Sequence, residues 1–292
     1  MISKLKETNI PDNIAIFTGR GALPKELATG IIRKGNPPLL IGIENEHESW
    51  IKKHKHAILT WGQFGKLFKL LKQNNINGII FAGALNRPNI KLSSLDWGGI
   101  KTIPQILAYS WGGDNTLLSG VITLFEGHNI TVVAPHEVLP ELLAPAGLIA
   151  GRKPSRKAHL NIAKAVEACD AIGRLDIGQA AIAVGGRVVA LEGVEGTDGM
   201  LKRTSQMRKS GRLYEDGCHG VLAKMMKPHQ EMRIDLPAIG PETIKSAAKA
   251  ELKGIVLHAN HSLILSKEET LSEANRAGMF IFGHTGGRAA DE

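Results

Sequence analysis

The sequence holds little from which a disulfide scaffold, a membrane span or a base-stacking surface could be made. Cys169 and Cys218 are the only cysteines in 292 residues. Two cannot staple a chain of this length, so a reducing compartment is expected. The longest apolar runs, such as Gly78–Leu85, are about one strand long, well short of the ~18 residues that a transmembrane helix needs. Met1–Asp12 alternates charged and polar residues without an apolar signal region, and a cytoplasmic protein is expected. Aromatics are only 4%, which starves any platform for stacked bases. Zinc-finger spacing, an aromatic RNA-binding signature and a basic run of five are all absent. No nucleic-acid partner is therefore expected, although the formal charge is +8 and the pI about 9.4. That charge suits a phosphorylated substrate or an anionic membrane surface equally well. There is no Gly-x-Ser-x-Gly elbow, so a serine hydrolase has no support.

What is present divides into two halves. All four Trp lie at or before Trp111, no aromatic occurs between Glu126 and Leu213, and six of the seven Met lie at or after Met200. Two cores of different composition imply two domains. Pro145, Gly147, Gly151 and Pro154 crowd Ala144–Ser155, the expected linker, giving domains at 12–145 and 152–292. In the first, apolar strands at Ile14–Phe17, Leu39–Ile43, Gly78–Ala82 and Ile130–Ala134 alternate with helices at Lys25–Arg33, Gln63–Gln73 and Asp114–Glu126. That alternation predicts an α/β, Rossmann-like parallel sheet covered on both faces. The second domain opens with a helix capped by Ser155. Gly185-Gly186 between two apolar runs then predicts a hairpin. Further helices over Pro241–Leu252 and after a Ser266/Glu269 capping box make it a mixed α+β domain.

Several segments carry chemistry. Gly19 and Gly21 lie in a loop between the first strand and helix, where backbone N–H groups can face a phosphate. Pro24 occupies the place of a third fingerprint glycine, and Glu44 stands where a ribose-binding acid belongs. A plain tight turn, a phosphate contact and a nicotinamide site all remain open. Gly83 and Arg87 follow a buried strand at the sheet's carboxyl edge, where Arg87 could fork onto phosphate or be an ordinary surface arginine. Arg174, Asp176 and Gln179 share one short loop. Glu192, Glu195, Thr197 and Asp198 follow the hairpin, either as solvated turn residues or aimed at a common point. Lys224, Lys227 and Arg233 alternate with Glu231 and Asp235 around Gln230. They form either a salt-bridge network or a site binding phosphate directly and a divalent cation through carboxylate. Asp235 lies between Ile234 and Leu236, so partial burial is expected. His258 and His261 lack a third ligand at zinc spacing.

Together these strings resemble the metal-dependent UDP-2,3-diacylglucosamine pyrophosphatases of lipid A biosynthesis. The shared residues are Ala22-Leu23-Pro24, Phe64-Gly65-Lys66, Phe81-Ala82-Gly83 with Arg87-Pro88, Ile172 to Gln179, and Glu195-Gly196-Thr197-Asp198. Gly220 to Lys224, Lys227-Pro228-x-Gln230-Glu231 and Arg233-x-Asp235-Leu236-Pro237-x-Ile239-Gly240 complete them. Arg20 stands where the family has Gly, and His258-Ala259-Asn260-His261 replaces an acidic turn, a change expected at the surface. The resemblance implies a two-domain homodimer with the lipid between the domains. It also implies hydrolysis at the α-phosphate to UMP and 2,3-diacylglucosamine 1-phosphate, and a divalent cation, Mg²⁺ or Mn²⁺. Asp235 matches the family's essential carboxylate. On the residue reading, Asp235, Asp198 and Asp176 are the catalytic candidates, with Asp235 and Asp198 as metal ligands. Gly19, Gly21, Gly83, Arg87, Arg174, Gln179, Thr197, Lys224, Lys227, Gln230 and Arg233 are the substrate-binding candidates. The positive charge suits transient contact with the cytosolic face of an inner membrane. The alternative is an NAD-dependent oxidoreductase with a degenerate glycine fingerprint.

Overall fold

The structure is a computed structural model and describes residues 10–85, 95–102, 114–213 and 220–286. The chain divides into two compact units. The first is Met1–Pro140 with Glu231–Asp235, and the second is Glu141–Gln230 with Leu236–Glu292.

Among the described residues the first unit is built on five strands: β1 (Ile14–Thr18), β2 (Leu39–Ile43), β3 (His56–Leu59), β4 (Gly78–Ala82) and β5 (Thr131–Val132). They form one parallel sheet in the order β3-β2-β1-β4-β5. Strands β1 and β2 are buried along their whole length, which is why they read as unbroken apolar runs rather than alternating ones. Helices α1 (Ala22–Arg33), α2 (Phe64–Gln73), α3 (Asp114–Glu126) and α4 (Pro135–Val138) accompany them. On α2, Leu67 and Leu71 are buried and Phe64 and Phe68 pack against the same core, the stripe its spacing predicts. Strand β3 escapes the sequence reading because it is a half-exposed edge strand entered through Lys52-Lys53-His54-Lys55. Chain order reverses between β1 and β4, so the loops after these two strands flank the sheet's topological switch point.

Among the described residues the second unit has eight strands: β6 (Gly147–Ala150), β7 (Ala180–Val184), β8 (Arg187–Leu191), β9 (Val221–Lys224), β10 (Ala238–Ile239), β11 (Gly254–His258), β12 (Leu263–Ile264) and β13 (Phe280–His284). Six of them form a mixed sheet in the order β6-β13-β11-β9-β7-β8, and β10 pairs separately with β12. The helices are α5 (Arg156–Arg174), α6 (Gly196–Lys209), α7 (Pro241–Lys249) and α8 (Lys267–Arg276). Strands β9, β11 and β13 run parallel, while β6 and the β7-β8 hairpin bring in antiparallel pairings. At the hairpin turn Gly185 and Gly186 have φ of 59° and 74°, the left-handed pair a two-residue turn requires. The Ser155 hydroxyl accepts from Ala158 N at 3.2 Å to cap α5.

Three local expectations fail. Ala144–Ser155 is not a free linker, because Gly147–Ala150 pairs with β13. The Gly and Pro residues that suggested a linker bracket this short strand instead. Helix α7 stops at Lys249 rather than Leu252. Glu251 adopts φ 57°, its N–H and that of Leu252 return to the Ala248 and Ala247 carbonyls, and Leu252 turns into the core. A left-handed residue thus closes the helix in the way glycine usually does. Ser266 does not cap α8. It is itself left-handed, with φ 44°, and its side chain makes no capping bond.

Candidate active site

In the second unit, chemistry-bearing residues collect where β9 ends, β7 begins and β8 ends. Glu192, buried just past β8, organises the group. Its Oε2 accepts from Gln179 N at 2.9 Å, and its Oε1 accepts from the Thr197 hydroxyl at 2.7 Å. Gln179 immediately precedes β7, and its carbonyl accepts from Met225 N. The Gln179 side-chain oxygen accepts from Gln230 Nε2 at 3.3 Å, and Gln230 Oε1 accepts from Lys227 N at 2.8 Å. Lys227 Nζ then donates to Asp176 Oδ1 at 2.7 Å. Gly178 and Gly173 make this closure possible. A Cβ on Gly178 would stand 2.4 Å from the Glu192 carbonyl oxygen, and one on Gly173 would meet Pro228 at 3.2 Å. The long string from Ile172 to Gln179 is therefore a packing requirement as much as a binding motif.

The charges expected on a pyrophosphate are variously engaged. Lys227 is partly buried and held by Asp176, which makes Asp176 its counter-charge. Lys224 Nζ donates to the Ala238 carbonyl at 3.0 Å. Arg174 pairs with Asp170 at 3.0 Å across one exposed turn of α5. Asp198 is exposed in the first turn of α6, where the helix dipole favours a carboxylate.

In the first unit, the glycine loop is used differently from the phosphate cradle that was one of its readings. Arg20 and Ala84 exchange backbone hydrogen bonds at 2.8 and 2.9 Å, zipping the loops after β1 and β4 together. A Cβ on Gly19 would lie 2.5 Å from Ala84 O, and one on Gly83 would lie 2.6 Å from Arg20 O and 2.8 Å from the Pro24 ring. Pro24 thus fills the space behind Gly83. Gly21, at φ 104°, donates its N–H to Glu48 Oε1 at 2.9 Å. A carboxylate of this chain already occupies that donor. Arg87 lies outside the described residues, as do Cys218 and His219.

The segment Glu231–Asp235 belongs to the first unit, and Arg233 secures it there. Its Nε and Nη2 donate to both oxygens of Glu231 at 2.9 Å each, and its Nη1 donates to Glu126 Oε1 at the end of α3 at 2.8 Å. The guanidinium hydrogen bonds hold the Glu231 carboxyl below its ordinary value, and burial opposes them only in part. Arg233, expected on phosphate, is here the clamp for the half-buried Asp235. The sequence reading missed Glu126 as a partner because it is remote in the chain and looked like a helix end.

His258 and His261 have ring centroids 4.5 Å apart, and His258 faces His284 across the β11-β13 register. Burial pushes the His258 imidazole below its usual range, and the neighbouring His261 and His284 add to this. It is half-buried at a strand end, not the surface change expected. Among the described residues, no group of three or more His, Cys, Asp or Glu side chains is arranged to hold a metal ion. Mg²⁺ commonly takes only one or two protein carboxylates, filling its shell with water and substrate phosphate. Asp235, in the first unit, and Asp198, in the second, are each of that donor type.

Residues 13–142 match the LpxI N-terminal domain and residues 145–282 the LpxI C-terminal domain. The chain is also 35% identical over 270 residues to the UDP-2,3-diacylglucosamine pyrophosphatase LpxI of Caulobacter vibrioides, covering 92% of this chain and 96% of that protein. The chain belongs to the LpxI family. Asp235 thus falls in the stretch matching the LpxI C-terminal domain, yet it packs with the unit built from the N-terminal one. Nothing in the LpxI match supports a nicotinamide oxidoreductase. Among the described residues no helix is long and apolar enough to cross a membrane.

Proposed function

We propose that this chain hydrolyses UDP-2,3-diacylglucosamine, by water attack at the α-phosphate, to UMP and 2,3-diacylglucosamine 1-phosphate in lipid A biosynthesis. The carrying observation is the near full-length match to the Caulobacter vibrioides pyrophosphatase. A pyrophosphate diester carries two negative charges, which suits Lys227, whose ammonium is held by Asp176, and Lys224 at the end of β9. Gln179, Gln230 and Thr197 offer neutral hydrogen-bonding groups at the same edge, and Glu192 fixes Gln179 and Thr197 in place. Asp235 is the carboxylate assigned to orient the attacking water or to hold a divalent cation, with Asp198 as a second ligand. A bound Mg²⁺ would neutralise charge developing on the phosphate oxygens. Homodimerisation and transient contact with an anionic membrane surface complete the reading. The charge of +8 supports the membrane contact.

The test is UMP release from the UDP-linked diacyl lipid. Activity should appear with Mg²⁺ or Mn²⁺, vanish in EDTA and return when metal is restored. Undiminished turnover in EDTA would remove the metal from this account. No UMP under any metal would remove the hydrolase.

A further inference from the structure

One stretch of the second unit carries charge of a single sign. From Leu142 to Val166 there are five Lys and Arg and no Asp or Glu. Arg152, Lys153, Arg156 and Lys157 are exposed, and among the described residues no carboxylate pairs with them. Lys164 is different, because Glu167 holds it at 2.9 Å. The unpaired charge is thus confined to the start of α5 and the residues before it. The backbone there is fixed. Gly151 donates its N–H to Asn275 Oδ1 at 3.0 Å, and Ser155 caps the helix. Arg156 and Lys157 fill the first turn of α5, which holds no acid. The helix dipole disfavours cations at that end. Their placement works against the helix, and an anion outside it would relieve them.

Aliphatic side chains stand beside these cations. Leu160, one turn beyond Arg156 on the same helix face, is 61% exposed. Gly186 N donates to Asn161 Oδ1 at 2.8 Å, which brings the β7-β8 hairpin and its exposed Arg187 against the second turn of α5. Val188 is exposed and pairs with Ala183, while Leu148 is exposed and pairs with Phe282. Ala183 and Phe282 both pack in the core under α5. Cross-strand partners share a face, so both aliphatics lie on the α5 side of the sheet. We propose that the start of α5, with Arg152, Lys153, Arg156, Lys157 and Leu160, docks this chain on an anionic lipid bilayer. Headgroup phosphates take the cations, and Leu160 enters the boundary with the acyl chains. Nucleic acid would use the charges but not the aliphatics, and no exposed aromatic stands on α5 to stack a base. The proposal rests on the membrane contact read above and locates it. Helix α5 has 19 residues and is therefore about 28 Å long. Its far end, at Gly173, packs on Pro228 beside the Gln179–Lys227 group. The docking surface is remote from that group and acts as a tether.

The test is co-sedimentation with vesicles of phosphatidylcholine alone and of phosphatidylcholine mixed with phosphatidylglycerol. The wild type should bind the mixed vesicles only, and less as salt rises. Replacing Arg156 and Lys157 together, as Arg156→Gln/Lys157→Gln, should weaken that binding by about 30-fold. Lys52→Gln/Lys53→Gln makes the same change in net charge at two exposed lysines of the first unit, and should change binding little. Leu160→Asn should weaken binding about tenfold with the salt dependence unchanged. The Arg156/Lys157 variant should melt no lower than the wild type, since it removes cations from the wrong end of a helix, so lost binding is not lost folding. Equal binding by that variant and the wild type, or equal losses in the two double variants, would overturn the proposal and leave the membrane contact standing. A wild type that ignores the mixed vesicles would remove both. Patch-dependent binding to a mixed-sequence DNA duplex, without vesicle binding, would give the surface to nucleic acid instead. UMP release from detergent-dispersed lipid should be the same in all these proteins, because none of the changes touches the Gln179–Lys227 group. A lower rate confined to the Arg156/Lys157 variant in detergent would overturn the tether.

Discussion

Asp235 and Glu192 are both acids set against apolar neighbours, and the structure holds them differently. Glu192 is buried and saturated, with one oxygen on the Thr197 hydroxyl and the other on the Gln179 N–H. Its removal leaves two donors without an acceptor, each costing about 1–3 kcal/mol. Glu192→Ala should therefore lower the melting temperature by several degrees, with activity falling alongside the folded fraction. Asp235 is half-buried on a clamped turn. With the catalytic role proposed for Asp235, Asp235→Ala should leave the melting temperature nearly unchanged, because an active-site carboxylate tends to cost stability rather than supply it. Turnover should fall ~10²-fold or more, about 2.7 kcal/mol in the barrier. A folded Asp235→Ala protein with near wild-type turnover would return the search to Asp198 and Asp176. Cys169 is a third case. Burial first, and the Glu192 charge next, push its thiol up to about 12. In the native protein at pH 8 it should resist a thiol-disulfide reagent and react only on unfolding, and prompt labelling of Cys169, mapped by mass spectrometry, would contradict its burial.

At the scale of the element, the decisive piece is Glu231–Asp235, a short turn rather than a helix or strand. Its position depends on Arg233 bridging Glu231 to Glu126 at the end of α3. Both pairs are partly exposed, so solvent screens them and their stabilisation is about 1 kcal/mol. Their positional effect is larger. Glu126→Gln should lower kcat several-fold with little change in KM if the clamp positions Asp235, and an unchanged kcat would reduce it to a surface ion pair. The clamp is also pH-dependent. The Glu231 carboxyl is held below its ordinary 4.5 by Arg233. Its stabilisation is therefore complete above about pH 4.5 and is lost as pH falls through the depressed value. In the wild type this loss adds to acid unfolding, and in Arg233→Met that increment should be missing from the pH-stability profile. The glycine loop likewise depends on what faces it. Gly19 and Gly83 were legible as residues where backbone comes close, but the partner is the facing loop of the chain itself.

At the scale of the whole molecule, two units carry separate cores of different composition. Phe17, Phe125 and Leu71 pack in the first, and Met200, Leu222 and Ile255 in the second. All four tryptophans lie in the first, so indole fluorescence reports one unit while far-ultraviolet dichroism reports both. Denaturant curves from the two probes should separate, as expected when a chain is not two-state. Coincident curves would show that the units unfold together.

The sequence by itself determined most of the secondary structure, the alternation that makes the first sheet parallel, the hairpin in the second, and the family. These are local or periodic signals. A buried parallel strand is a short apolar run, a Gly-Gly turn needs only its own φ values, and a long motif keeps its order along the chain. Tertiary structure alone decided which charges face which. Arg233 meets Glu126 across more than a hundred residues, and Glu48 reaches the N–H of Gly21 that a phosphate was expected to take. Asp235 joins the unit built from the other end of the chain. An ion pair or a hydrogen bond forms between whichever groups the fold brings within about 3 Å, and no spacing along the sequence records that distance.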